Sequence, residues 1–419
     1  MEAYAAILLW AIPAFMVLVI IEIFYGHFTH KQTYTFMDTL SSLSSGMTNI
    51  IKDLLGLAIV LIPYPFLEQK IGLFDFSNTV LVYSIAFICM DFASYWVHRL
   101  NHKVNLFWNT HIIHHSSEEF NLACALRQTI SNILVFQAVF LLPSAFLGVP
   151  PKVIITLAPL HLFGQFWYHT RHIGKLGILE YFLVTPSQHR VHHAINPIYI
   201  DKNLSAIFCV WDRLFGTFQE ELESEPPVYG TLKPVRSWNP LWINFQHLWG
   251  ILQDAWHTQR WTDKLKIWFM PTGWRPQDVL KKFPRFSYGD PVNDQKKYAP
   301  HYNSFWKSLA IFHFVAIMIL LLFFLSEFDH FSNLIRIGFG IFLLLCVFGF
   351  TALMDLHKWA LGFEVFRALL GIELLSLPQL AFFNQAYPLF YILFFIYFGV
   401  SLLLTYRAFL QHPSHPLTH

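Results

Sequence analysis

Charge is what this chain has least of: Lys, Arg, Asp and Glu together make up 13% of its 419 residues, about half the usual share of a soluble domain. That shortage excludes an ordinary cytosolic globule. The net charge of +2 leaves no electrostatic footprint for nucleic acid. Cysteine is also scarce. Cys89, Cys124, Cys209 and Cys346 are widely spaced and lie mostly in apolar stretches. Without a Cys-x-x-Cys pair they exclude an iron–sulfur cluster and a disulfide framework, and each reads as a packed thiol. No His-Glu-x-x-His occurs, which removes the zinc-protease signature, and no internal repeat or low-complexity run is visible.

Apolar residues are abundant, at 55% of the chain, with 18% aromatic. Windows of the length that crosses about 30 Å of hydrocarbon run from Ala5 to Tyr25, Met47 to Pro65, Asn78 to Val97, Trp306 to Ser326, Ile335 to Met354, Trp359 to Ala381 and Leu389 to Tyr406. The windows Ile130 to Val149 and Val153 to Trp167 are broken by Gly148, Pro150 and Pro151 and read as a helical hairpin short of a full crossing. The first window has no basic leader and no small-residue cleavage site, so it is expected to be an anchor. Basic residues such as Arg99, Lys103, Arg127, Arg190 and Lys264 share one class of loops, whereas the turn at Glu327 to Asp329 is acidic. By the positive-inside rule, the loops from 168 to 304 are expected in the cytoplasm.

Two parts are expected: residues 1–300, with early membrane helices and a histidine-bearing cap, and 301–419, a separate four-helix membrane bundle. Between them, residues 220–304 are polar and rich in Pro and Trp (Trp238, Trp242, Trp249, Trp256, Trp261, Trp268 and Trp274). Such a stretch suits either an amphipathic layer at the lipid headgroups or the aromatic core of a soluble cap.

The chemistry lies between Asp91 and His193, in His98-Arg-Leu-Asn-His102, His111-Ile-Ile-His114-His115 and His189-Arg-Val-His192-His193. Residues three and four apart share a helix face, so each triplet stacks its imidazoles over one turn. Four ligands saturate a zinc ion and a haem takes one or two axial histidines. Eight clustered imidazoles therefore suit two transition-metal ions with positions open for oxygen. The expected fold is an all-α integral membrane protein, a multi-pass helical bundle with a cytoplasmic histidine-rich di-iron cap.

Around this set, Asp91, Ser94, Tyr95, His98 and His102 fall on one helical stripe. Asp91 is assigned a supporting catalytic role, accepting a hydrogen bond from the outer nitrogen of a ligating histidine. The alternative is an ion pair with Arg99 or a neighbouring helix. His169 is the expected ninth ligand, ahead of His172 and His161. Asp201 and Asp212 either orient imidazoles or cap a helix starting after Asp201, the capping reading being preferred. The remaining histidines, including His330, His357 and the tail His412, His415 and His419, lack ligand spacing and are assigned no chemistry.

Asp91-Phe-Ala-Ser-Tyr-Trp-Val-His98-Arg, the two triplets, Ser116-Ser-Glu118, Ala125-Leu-Arg-Gln128, Gln165-Phe-Trp-Tyr-His169-Thr and Thr185-Pro-Ser resemble the fatty acid hydroxylase and sterol desaturase superfamily. Ser116-Ser-Glu118, Ala-Leu-Arg-Gln and Ile200-Asp-Lys-Asn203 most resemble its glyceryl-ether monooxygenases. The resemblance covers roughly residues 85–245. It implies two non-haem Fe ions, O2 and an external reductant, tetrahydrobiopterin in the ether-cleaving branch. Lys103 departs from that branch, which places a glutamate there; the departure leaves the histidines intact and bears on pterin use and substrate.

Three function classes follow. First is a membrane monooxygenase acting on a lipid alkyl chain, with O-alkyl cleavage of glyceryl ethers to a fatty aldehyde and a glycerol derivative. Second is a sterol or fatty acyl hydroxylase or desaturase. Third is a non-catalytic metal-binding membrane protein or transporter, disfavoured because the clusters lie beyond helix ends and no repeat is present. The expected location is multi-pass in a membrane, endoplasmic reticulum or bacterial inner membrane, with the lipid as partner and the site on the cytoplasmic face.

Overall fold

The computed structural model describes residues 2–57, 59–75, 79–135, 137–377 and 385–411, and is mostly helical, at 63%. In chain order its principal helices are α1 (Glu2–Phe28), α2 (Phe36–Leu54), α3 (Thr79–Lys103), α4 (Ile112–His115), α5 (Pro151–Phe163), α6 (Pro186–His192), α7 (Pro240–His257), α8 (Trp261–Lys266), α9 (Ser304–Ser326), α10 (Asn333–Met354), α11 (Ala360–Leu375) and α12 (Pro388–Gln411). Among the described residues five helices, α1, α3, α9, α10 and α12, are long and apolar enough to cross a membrane. This is a multi-pass arrangement. Local signals start two of them: the Asn303 side chain accepts from Trp306 N ahead of α9, and Ser332 accepts from Ile335 N ahead of α10.

Among the described residues, the windows at 47–65 and 359–381 do not form helices long and apolar enough to cross. The window at 47–65 straddles the end of α2, which carries Asp38, Lys52 and Asp53 and a row of serines and threonines. Its polar stripe faces inward: Ser41, Ser42, Ser44, Ser45 and Thr48 are all buried, and Ser41 Oγ donates to Trp238 O at 2.8 Å. The first limb of the expected hairpin is short and broken. Its described residues hold the strand Leu134–Val135, paired in parallel with Ile59–Val60, a 3-10 turn at Gln137–Leu141 and a five-residue helix, Leu142–Phe146, beyond which Gly148 and Pro150 prevent continuation. The second limb, α5, has 13 residues and so reaches only about 20 Å. In the C-terminal bundle, α11 has 16 residues and is too short to cross upright, although the window's end at Ala381 lies outside the described residues, as do His412, His415 and His419.

The bundle shares one core with the N-terminal helices. Val19 of α1 and Leu43 and Met47 of α2 pack with Ile317 and Phe324 of α9 and Phe339 of α10. Gly371 of α11 is held so close to Phe398 and Phe342 that a Cβ there would lie 2.3 Å from Phe398 Cζ; only glycine permits this approach. A second core joins α3 to α5 through Val82, Ala86, Met90, Val153 and Leu157.

The Trp-rich stretch divides by side. Trp238 is buried, its indole N–H donating to Tyr302 Oη at 2.8 Å. Trp249, Trp256, Trp261, Leu265 and Phe269 are exposed. The segment after α8 is fastened to the end of α3: Asn105 N donates to Met270 O, Leu106 N to Trp268 O and Thr272 Oγ1 to His102 O.

Candidate metal centre

Nine histidines converge from four pieces of chain. Helix α3 carries His98 and His102 one turn apart on its last stretch. His111 precedes α4, a single turn that holds His114 and His115. His169 follows α5, and α6, started by Pro186, holds His189 and His192 with His193 immediately after. The nine form two groups, His98, His102, His111, His115 and His192, and His114, His169, His189 and His193. Within each group the candidate ligand atoms lie within 4.8 Å of one another.

The triplets do not stack all three rings on one site, as the spacing alone suggests. Each gives its i, i+4 pair to one group and its middle residue to the other, since a step of one residue turns a helix by about 100°. His111 and His115 face the first group and His114 the second, whereas His189 and His193 face the second and His192 the first.

Hydrogen bonding fixes which nitrogen points inward. The Nδ1 of His98 meets Leu204 O at 2.8 Å, that of His192 meets Lys202 O at 3.0 Å, and those of His114 and His169 meet Arg127 O and Phe166 O at 3.3 Å. A carbonyl oxygen only accepts, so in each ring Nδ1 carries the proton and Nε2 keeps its lone pair. Those lone pairs are crowded together: Nε2 of His189 lies 2.8 Å from Nε2 of His169, and Nε2 of His193 lies 3.1 Å from that of His114. Among the described residues, the buried Nε2 atoms of His102, His115 and His192 have no hydrogen-bond partner. Converging lone pairs repel unless a cation lies among them, so the donor set fits metal ions, and all-imidazole groups fit non-haem iron.

The electrostatics agree. Burial, reinforced by neighbouring imidazoles, holds His111, His115, His189, His192 and His193 well below the ordinary histidine range. Burial pushes His114 down to about 3 and His169 to about 4. All seven are neutral at pH 7, the form that binds metal.

The supporting residues differ from expectation. Asp91 reaches none of the nine histidines. His98 is seven residues further along α3, a rise of about 10 Å, and sharing a stripe does not bring a carboxylate across that distance. Asp91 is instead fully buried and accepts from His161 Nε2 at 3.0 Å, Ile207 N at 2.8 Å, Phe208 N at 3.0 Å and Trp211 Nε1 at 2.8 Å. Neither His161 nor His172 joins a group; the His172 ring packs edge-on to Tyr25. Among the described residues, the carboxylate that touches a clustered histidine is Asp201, which accepts from His102 Nδ1 at 3.3 Å and from Lys103 Nζ at 2.6 Å. No helix starts at Asp201, whose backbone is left-handed, φ 57°. Asp212 braces the intervening loop, accepting from Leu204 N and Ser205 N.

Sequence reasoning left Arg127 without a role. It is fully buried and donates to Asp38 at 2.8 Å, Ser42 at 2.9 Å and Ser116 at 2.7 Å, while its carbonyl holds His114. The inward polar stripe of α2 was the available signal, because Asp38 needs a buried cation.

A cavity of about 780 Å³ ends on these groups. Leu8, Ile12 and Phe15 of α1, Met47 of α2, Phe163 of α5 and Met318 of α9 line its apolar part. His98, His111, His114, His169 and His189 line the other end.

The fatty acid hydroxylase family matches residues 83–217, which contain all nine histidines. The chain is 33% identical to human alkylglycerol monooxygenase over 391 residues, 90% of this chain and 84% of that protein. It is 35% identical to the zebrafish (Danio rerio) alkylglycerol monooxygenase over 272 residues, 64% and 59% of the two chains. An ornithine lipid hydroxylase of Rhizobium tropici is 27% identical over 134 residues, 32% of this chain and 40% of that one. No solved structure matches. Site, helices and relatives together place the chain in the alkylglycerol monooxygenase family of fatty acid hydroxylases.

Proposed function

We propose that this protein is an oxygen-dependent membrane monooxygenase that cleaves the O-alkyl bond of glyceryl ethers at a pair of non-haem iron ions. The observation that carries the reading is the ending of an apolar cavity on two adjoining histidine groups. His98, His102, His111, His115 and His192 hold one iron and His114, His169, His189 and His193 the other. When bound, the metals supply the redox chemistry that inserts oxygen into an unactivated C–H bond. The chain supplies positioning. Carbonyls of Leu204, Lys202, Arg127 and Phe166 aim four imidazoles, and Asp201 fixes the tautomer of His102, as carboxylate partners of metal-bound histidines do.

The apolar cavity holds the alkyl tail away from water, with the carbon next to the ether oxygen at the histidine end. Hydroxylation at that carbon gives a hemiacetal, which collapses to a fatty aldehyde and glycerol without a nucleophilic side chain. The external reductant is a reduced pterin such as tetrahydrobiopterin. Residues 1–300 form the catalytic unit, and 301–419 form the bundle that holds α1 and α2 in place.

The histidine face lies on the cytoplasmic side, of the endoplasmic reticulum or of a bacterial inner membrane. The exposed Trp256, Trp261, Leu265 and Phe269, fastened to the end of α3, lie at the headgroup layer, where tryptophan is enriched. Hydroxylation of an acyl chain is the second reading, favoured by the ornithine lipid hydroxylase relative. Product analysis separates the two: purified protein with a reduced pterin releases fatty aldehyde from a long-chain glyceryl ether. Conversion of sterols or acyl lipids alone overturns ether cleavage.

A further inference from the structure

Asp91, His161 and Gln165 form a chain of fixed hydrogen bonds that the metal-binding role does not use. All four donors to Asp91 point at its carboxylate, so His161 must present Nε2 as N–H. His161 is buried among apolar neighbours of α3 and α5 and packs edge-on to Phe87. With the proton on Nε2, its Nδ1 is an acceptor, and Gln165 Nε2 donates to it at 3.1 Å. The same amide nitrogen donates to His161 O at 3.2 Å. A backbone carbonyl cannot donate, so the two contacts fix the orientation of the Gln165 amide, with the nitrogen towards His161 and Oε1 away from it.

Gln165 stands four residues before His169, just after α5, and both line the cavity. Among the described residues no donor meets Oε1. Of the neighbouring donors, Gln128 Nε2 is engaged with Ala125 O and Thr110 Oγ1 with Phe107 O. Among the acceptors lining the cavity, Gln165 Oε1 is held in place through His161 by a buried carboxylate, Asp91. An acceptor held this way recognises a donor. An alkyl tail and an ether oxygen carry none, whereas the glycerol head carries hydroxyls.

We propose that Gln165 Oε1 accepts a hydrogen bond from a free hydroxyl of the substrate's glycerol head, and that Asp91 and His161 are positioning residues that aim it. The assignment rests on ether-lipid cleavage as the reaction. It makes Gln165 a specificity residue: it sets which carbon of the lipid stops at the metal end by anchoring the head.

The test compares three substrates on the full-length, metal-loaded protein in lipid nanodiscs: a long-chain 1-O-alkylglycerol and two analogues of the same chain length, each lacking one head hydroxyl. Wild type is expected to prefer the parent over one analogue by about tenfold in kcat/KM, the worth of a neutral hydrogen bond. Gln165→Leu brings that ratio close to one, mostly through KM, while metal content stays at the wild-type level. His161→Phe, which frees the amide to rotate, lowers the ratio partway. If Gln165→Leu folds poorly, Gln165→Met, nearly isosteric and without the acceptor, gives the same comparison. An unchanged ratio in a folded Gln165 variant, or equal losses on parent and analogues, overturns the assignment and leaves ether cleavage standing. A wild type inert towards every glyceryl ether overturns the proposed function, and this assignment with it.

Discussion

His115 stacks on His193 with ring centroids 4.4 Å apart and 26° between planes, and this contact is the seam between the two histidine groups. The two residues belong to different groups and different triplets, yet each is adjacent in sequence to a histidine of the opposite group. The backbone of residues 114–115 and of 192–193 thus passes between the groups and fixes their separation.

Elemental analysis of protein purified in active form is expected to find about two transition-metal ions per chain. Alanine at any of the eight triplet and pair histidines removes a ligand that no neighbour replaces and abolishes oxygen-dependent turnover. His330→Ala and His357→Ala, remote from both groups, leave activity close to wild type. A single zinc ion without a redox-active metal in active protein would overturn the iron assignment.

Asp201→Asn and Asp91→Asn are expected to fail differently. Asp201 orients a clustered imidazole, so its loss lowers metal affinity and activity about 10 to 100-fold with little change in melting temperature. Asp91 braces the backbone at Ile207 and Phe208, and its replacement costs about 1–3 kcal/mol of stability with metal content preserved. Metal analysis beside thermal melts distinguishes them.

Sidedness can be read with thiol labels, because all four native cysteines are buried and give little background. Cysteine placed at the exposed Lys266 and at the exposed Asp329 is expected to label from opposite faces of sealed vesicles. Labelling of both from one side refutes the orientation.

Without metal, stability is expected to fall as pH drops from about 6.5 towards 4. His247, held to about 4 by burial in α7, and His114 and His169, at about 3 and 4, bind fewer protons folded than unfolded in that window. The unfolded chain is therefore favoured as protons are added, and the stabilisation is complete only above the ordinary histidine pKa. Thermal melts of metal-stripped protein against pH measure this, and a flat profile would contradict it.

Spacing made the histidines legible, because i, i+4 neighbours on a turn overlie one another whatever the tertiary fold. It could not show the division into five and four, which depends on the path of the backbone between the groups. Hydropathy located α1, α3, α9, α10 and α12 but misread α2, since composition does not reveal that its aspartate, serines and threonine face inward. Asp91 was legible as a buried carboxylate and misassigned in its partner, because a stripe gives direction and not reach. Gln165 carried no signal beyond its place in a motif; its role depends on two contacts to a histidine one turn away.

The cavity is lined in part by α1, α5 and α9, and Leu18 of α1 and Leu162 and Phe163 of α5, which line it, are also exposed on the outer surface of this apolar bundle. A lipid entering there moves within the plane of the bilayer and never dissolves in bulk water. The quantity that sets its rate of arrival is then its mole fraction in the membrane. Turnover at constant total substrate is expected to fall as inert phospholipid is added and to recover when the ratio is restored, as in a two-dimensional solution.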